Sequence, residues 1–261
     1  MAYGTVVADV MQTSTPNGVL GAKNASTLQN RLIDAGFIIN QRGYVSGTAL
    51  SAGTYAHDRW KAGAGGCTYT FTQGSAGVPI VITITAGSLQ QVIEGCNMPE
   101  GGTYVLSWTG TAQARFNGGT YGSSPLAVTG ITAGANTTIE FNTGTLSYPQ
   151  LEVGSSATGF EYRQYQQELA LCQRYYETAT YTSNGYQFLG LLLQASNNCW
   201  TQYNYKVTKR AIPTFAIVSG SWTNATPTIS TAVDCIQFNA SAYFYLQGTS
   251  GNNAGSFSAE L

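Results

Sequence analysis

Charge is scarce in this chain. Of its 261 residues, 11 are Lys or Arg and 12 are Asp or Glu, 9% in all, where an average globular chain carries about 25%. The formal net charge is −1 and no basic run is longer than Lys209-Arg210, so the electrostatic footprint that a phosphate backbone requires is missing and nucleic acid is not an expected partner. Histidine is scarcer still. His57 stands alone in "YAHDRW"; neighbours on an extended chain point to opposite faces, so Asp58 does not orient it as a catalytic base, and a structural role is expected. The cysteines fall at 67, 96, 172, 199 and 235 with no C-x-x-C pair. That spacing excludes a zinc knuckle or a dense disulfide scaffold; they read as small buried hydrophobes, with a single bridge such as Cys67 to Cys96 left open. No window approaches ~20 apolar residues, and the first twenty residues lack a basic start, so neither membrane insertion nor a secretion signal is expected. No cluster of His, Cys or Asp has ligand spacing, so no metal or cofactor is expected. Carboxylates such as Glu94, Glu140 and Glu152 stand apart in sequence, and nothing pairs them as glycosidase acids.

What is abundant is Gly (31), Tyr (17) and the hydroxyl and amide residues between them. Such a surface is polar without charge and favours twisted sheets with Gly/Asn/Ser turns. Residues 1–24 are turn-rich and carry few apolar positions, and they read as a docking segment. "NASTLQNRLIDAGF" offers Ser26 as an N-cap, Leu28 and Leu32 one turn apart and Gly36 as a stop, which predicts a short helix over 25–36. The period then changes to two. "PIVITITAG" puts Ile80, Ile82 and Ile84 on one face, and "GTYVLSWTG" does the same with Tyr104, Leu106 and Trp108, so residues 37–153 read as a β domain with turn signals at sandwich spacing. "AGAGG" at 62–66 lacks the Lys-Ser/Thr of a phosphate loop and reads as a turn or bulge.

A linker with a helix is predicted over 154–177. There Tyr162, Tyr165, Leu169, Cys172 and Tyr176 recur at the 3-4 spacing of a coiled-coil seam, which fits either a helix lying on its own β domain or a seam between identical chains. The β pattern resumes over 178–261 as a second sandwich rich in aromatics. The fold class expected is mainly β: two jelly-roll-like sandwiches joined by a short helix. Aromatics beside amides grip sugars, ring face to C–H face, with Asn and Gln on the hydroxyls. By that criterion Trp200, Tyr203, Tyr205, Trp222, Tyr243 and Tyr245 are glycan-binding candidates; filling the sandwich core is the alternative for each.

"FIINQRGYVSGTALSAGTYAHDRWKAG", "GTYVLSWTGTAQARFNGG", "YPQLEVGSSATGFEYRQYQQELALCQRYYE" and "GSFSAEL" together resemble phage tail-fibre and receptor-binding virion proteins, over residues 25–178 and more loosely beyond. The resemblance implies a non-enzymatic virion protein with a carbohydrate-binding-like jelly roll over Phe37–Val153, a joining helix over Tyr162–Tyr176 and a distal β domain. It also implies a homotrimer that attaches to other virion proteins through residues 1–24 and meets a host cell-surface glycan. Relatives continue an N-terminal shaft that is not evident here, so a head fibre or decoration protein is the structural alternative, and a polysaccharide depolymerase the enzymatic one.

Overall fold

The computed structural model describes residues 29–180, 186–193, 198–249 and 252–261. The docking segment 1–24 lies outside the described residues. The alternation in "PIVITITAG" is realised: Ile80, Ile82 and Ile84 are buried while Val81 is 56% exposed. Tyr104, Leu106 and Trp108 are buried likewise. The chain is mainly β, and its strand pairings are antiparallel.

The first half builds one seven-stranded sheet from β1 (Lys61–Phe71), β2 (Ile82–Ile93), β3 (Gly102–Thr109), β4 (Ala114–Phe116), β5 (Leu126–Ile131), β6 (Thr137–Phe141) and β7 (Gly144–Val153). β2 is its spine. One edge of β2 pairs with β1; the other is shared, Ile82–Ile84 facing β7 and Leu89–Ile93 facing β6. β6 and β7 thus form one path along β2 that is interrupted at 142–143, and past Leu146 β7 leaves β2 to pair with β3. Gly144 makes that break possible: its φ is +138°, and a Cβ would stand 2.5 Å from the Ala112 nitrogen. "AGAGG" is the expected bulge, with residues 63–66 set opposite Ser88 alone as the register jumps from Ala62↔Leu89 to Cys67↔Gly87. The core behind this sheet is aromatic. Trp60, Tyr69, Tyr104 and Phe141 are fully buried, and Phe37 packs at 4.9 Å on Trp60.

The helix predicted over 25–36 is not formed in its described part, 29–36, which is irregular and turn-like. Tertiary partners take the backbone donors that a helix would use. Arg31 N–H donates to the Leu151 carbonyl, Ile33 N–H to Gln91 Oε1 and Asp34 N–H to Glu168 Oε1, while Leu32 N–H turns to the nearby Asn30 Oδ1. Residues 32–37 are all buried, and six consecutive buried positions are a demand that one helical face cannot meet.

The second half contributes β8 (Tyr176–Thr180), β9 (Tyr186–Leu193), β10 (Asn198–Asn204), β11 (Thr214–Ile217), β12 (Ser221–Thr223), β13 (Thr228–Thr231), β14 (Cys235–Ala240), β15 (Phe244–Gln247) and β16 (Asn253–Ser258). They form a six-stranded sheet, β12-β15-β9-β10-β14-β13, and a three-stranded one, β11-β16-β8. Phe238, Phe244, Leu246 and Phe257 fill the space between them.

The joining helix, α1, spans Tyr165–Gln173, and this corrects the expected seam. Tyr162 precedes it and is 70% exposed, while Tyr176 is the first residue of β8. Cys172 is buried, and it and the half-buried Leu169 pack with Ile33, Ile39, Tyr175 and Leu261 of the same chain. The side of α1 that holds them lies on its own β domain, the other of the two readings. All five cysteines are free thiols; Cys67, Cys172 and Cys199 are buried as expected, but Cys235 is half-buried and Cys96 exposed.

Charge gathers at the joint between the halves. Glu260 receives Arg42 at 3.0 Å and also pairs with Arg59, while Arg42 reaches Asp58 at 2.8 Å. The Arg59 guanidinium lies 3.7 Å from the Tyr175 ring centre, and that of Arg42 3.6 Å from Tyr176. Tyr55 Oη and Lys61 Nζ donate to the Leu261 main-chain oxygen at 2.6 and 2.7 Å. Burial pushes the Asp58 carboxyl up to about 6 even against Arg42.

Candidate functional site

The six-stranded sheet carries an unusual outer surface, and strand register defines it. On β10 and β14 the pairs Cys199↔Ala240, Thr201↔Phe238 and Tyr203↔Ile236 alternate with Trp200↔Asn239 and Gln202↔Gln237. Cys199, Phe238 and Ile236 are buried, so the second set faces out. Next door, Thr228 and Ser230 of β13 stand opposite Asn239 and Gln237. Across the sheet, Thr223↔Tyr245 and Ser221↔Gln247 face out while Trp222↔Leu246 faces in. Period-two alternation in "NCWTQYN" and "CIQFNA" therefore sorts aromatics and amides onto one side and the core onto the other.

The outer side chains are organised. Gln202 Nε2 donates to Asn204 Oδ1 at 2.5 Å, and Gln237 Nε2 donates to Gln202 Oε1 at 3.1 Å, giving a short ladder of amides with groups left over for a ligand. Trp200 beside it is 53% exposed. Tyr245 is half-buried and Tyr243, just before β15, is 46% exposed, with its carbonyl fixed by Asn224 Nδ2 at 2.6 Å. Sheet order puts β9 between β10 and β15, which separates Trp200 from Tyr245 by two strand spacings, about 10 Å across the strands. None of the six strands contains Asp, Glu, Lys or Arg.

The six aromatic candidates divide evenly. Trp200, Tyr243 and Tyr245 reach this surface. Tyr203, Tyr205 and Trp222 turn inward: Tyr203 stacks on Phe257 at 5.1 Å and its hydroxyl donates to Glu177 Oε1 at 2.9 Å, Tyr205 is 8% exposed, and Trp222 packs between Phe238 and Phe244. Burial, reinforced for Tyr203 by Glu177, pushes both phenols above their ordinary range. Beneath them Lys209 Nζ bonds Glu177 at 2.5 Å and the Gln173 carbonyl at 2.6 Å, both side chains fully enclosed, and burial lowers the lysine pKa. The amides Gln202, Asn204, Gln237, Asn239 and Gln247 are the members that residue-type reasoning passed over. Their signal was present in the alternation, because each stands an even number of residues from Trp200 or Tyr245, or opposite one across a strand pair.

His57 takes the structural role expected of it. It has no exposed surface, its Nδ1 lies 2.7 Å from the Tyr69 hydroxyl, and Phe37, Tyr44 and Phe71 enclose the ring. Burial lowers its pKa to about 4, so the imidazole is neutral. Among the described residues no group of three His, Cys, Asp or Glu side chains is placed to hold a metal ion. No protein-family model, curated protein or solved structure matches this chain.

Proposed function

We propose that this is a phage fibre protein that binds a host cell-surface glycan, without turning it over, on the outer face of its distal sheet. The observation that carries the reading is that face itself: strands without charge on which Trp200 stands beside an amide ladder, with Tyr245 two strands away. An aromatic face takes the C–H side of a sugar ring and the amides take its hydroxyls. The absence of charge on the six strands selects a neutral glycan over an anionic one. The sequence resemblance supplies the virion setting, the homotrimer and the attachment of residues 1–24 to other virion proteins. It also supplies the finer fold reading, in which β1–β7 is a carbohydrate-binding-like jelly roll and β8–β16 a second sandwich. Several copies on one particle would offset weak binding at each face.

A glycan array probed with the full chain tests this. Binding to a neutral glycan that falls at least tenfold in Trp200→Ala is the expected result. No binding, or binding indifferent to Trp200, removes the face as the receptor site, and release of reducing ends from capsule would replace adhesion with depolymerisation. One observation favours the structural alternative of a head fibre or decoration protein. Ile217, Val218 and Ile229 at the margins of the distal sheets are 40%, 50% and 39% exposed, which suits burial between virion proteins.

A further inference from the structure

β7 departs from regular strand geometry at one point. Against β3 its register runs Gln150↔Ser107 and then Ser147↔Thr109, so three steps on β7 face two on β3. The extra residue makes a β-bulge at Tyr148–Pro149, a device that re-aims a side chain. Tyr148 sits there at φ +53°, in the left-handed region that bulky residues avoid and that persists where the surroundings hold it.

Its ring is turned toward two others. Phe160 meets it edge-on at 5.1 Å, Tyr162 stands 6.2 Å away, and Phe160 and Tyr162 are themselves perpendicular at 5.1 Å. Alongside lies a groove of about 200 Å³ bounded by Trp108, Thr109, Tyr148, Thr158 and Phe160, with no charged side chain in its lining. The wall that carries Phe160 is fixed from behind. Thr158 N–H and Oγ1 donate to Glu152, and Gln150 Nε2 reaches the Gly159 carbonyl at 3.0 Å while its Oε1 accepts from Glu161 N–H at 2.7 Å. Neither the Tyr148 nor the Tyr162 hydroxyl bonds to a described residue. An uncharged groove edged by the Tyr148 and Phe160 rings and by hydroxyl groups suits a ligand that is apolar on one side and hydroxylated on the other.

We propose that this groove is a second saccharide site, on the first module, that takes a single neutral pyranose ring. The ring's C–H face lies on Tyr148 and Phe160, and its hydroxyls meet Thr109, Thr158 and the Tyr148 phenol. The volume admits one ring, below the ~300 Å³ where drug-sized pockets begin. This site goes beyond the distal sheet face and does not depend on it.

Saturation-transfer NMR on the full chain, with glucose, galactose and N-acetylglucosamine as probes and N-acetylneuraminate as the anionic control, tests the assignment. Transfer to the ring protons of at least one neutral sugar is expected, with none to the anionic sugar. Affinity should fall at least tenfold in Tyr148→Gly and in Thr109→Val and stay unchanged in Trp200→Ala. Neither groove variant threatens the fold, because glycine adopts φ +53° freely and Thr109 is exposed. Silence across the neutral panel overturns the proposal, as does transfer that persists in both groove variants. Transfer lost only in Trp200→Ala also overturns it while leaving the distal face as the receptor site.

Discussion

The first half and the six-stranded sheet of the second use charge in opposite ways. In the first half Asp34, Asp58 and Arg59 are drawn inside, each at most 1% exposed, and the second half encloses the one pair Glu177 and Lys209 outside that sheet's strands. The distal six-stranded sheet has none on any strand. Packing differs in the same sense, since Trp60 and Phe141 are fully enclosed whereas Phe215, Trp222 and Tyr203 remain partly accessible. The contrast teaches that a chain with few ions can commit them to fixing its internal geometry and still keep a polar exterior, provided hydroxyls and amides cover the outside.

The strongest test of that contrast is a pair of tryptophan deletions. Trp60→Ala should cost about 3–5 kcal/mol and the half-buried Trp222→Ala about 1–3, measured by urea unfolding; equal losses would erase the distinction between a closed and an open core. Next comes Arg59→Met, which leaves Glu260 enclosed with one partner fewer and should cost about 3–5 kcal/mol, whereas Arg31→Ala, at an exposed pair with Glu100, should stay under about 1 kcal/mol. A comparable loss at Arg31 would show that location does not matter.

Acidity sharpens the comparison further, because two adjacent buried groups in the first half oppose each other. Asp58 has its pKa raised to about 6, so its contribution to stability is greatest in acid and declines as pH climbs from about 4 to 6. His57, lowered to about 4, works the other way: the unfolded imidazole binds a proton below about 6.5 that the folded one refuses, so stability rises with pH over the same window. Asp34, raised by burial and by its carboxylate neighbours, sides with Asp58. His57→Phe should therefore make stability fall more steeply between pH 4 and 6 than in the parent chain, followed as the urea midpoint at each pH. An unchanged slope would mean that the histidine is not held neutral. The smallest expected effect is on the outer face of the six-stranded sheet, where Trp200→Ala, at a residue 53% exposed, should shift stability by no more than about 0.5 kcal/mol while removing the proposed glycan binding.

Much of this was legible in the sequence, and the reason is local. Alternation in "PIVITITAG" and "GTYVLSWTG" selects a face whatever lies beyond it, and the glycines of "AGAGG" announce a bulge by the same logic. The helix expected at 25–36 failed because capping and periodicity are judged within one turn, while Asn30, Ile33 and Asp34 answer to Leu151, Gln91 and Glu168 far along the chain. The seam misread one thing as another: Leu169 and Cys172 do mark an apolar face, but Tyr162 and Tyr176 only happen to share its spacing. Trp200 could be read from its type, and its amide neighbours only from strand register. Tyr148 gave no sign at all, since a bulge is created by the partner strand.

Glu260 and Arg59 stand 201 positions apart. At ribosomal speeds of about 5–20 residues per second, roughly 10–40 s separate the emergence of the guanidinium from that of its carboxylate. During that interval Arg42 can pair with Asp58, but Arg59 waits for its carboxylate. The joint can therefore be fastened only after the last strand, β16, has emerged, because Glu260 and Leu261 supply the oxygens that Arg42, Arg59, Tyr55 and Lys61 reach.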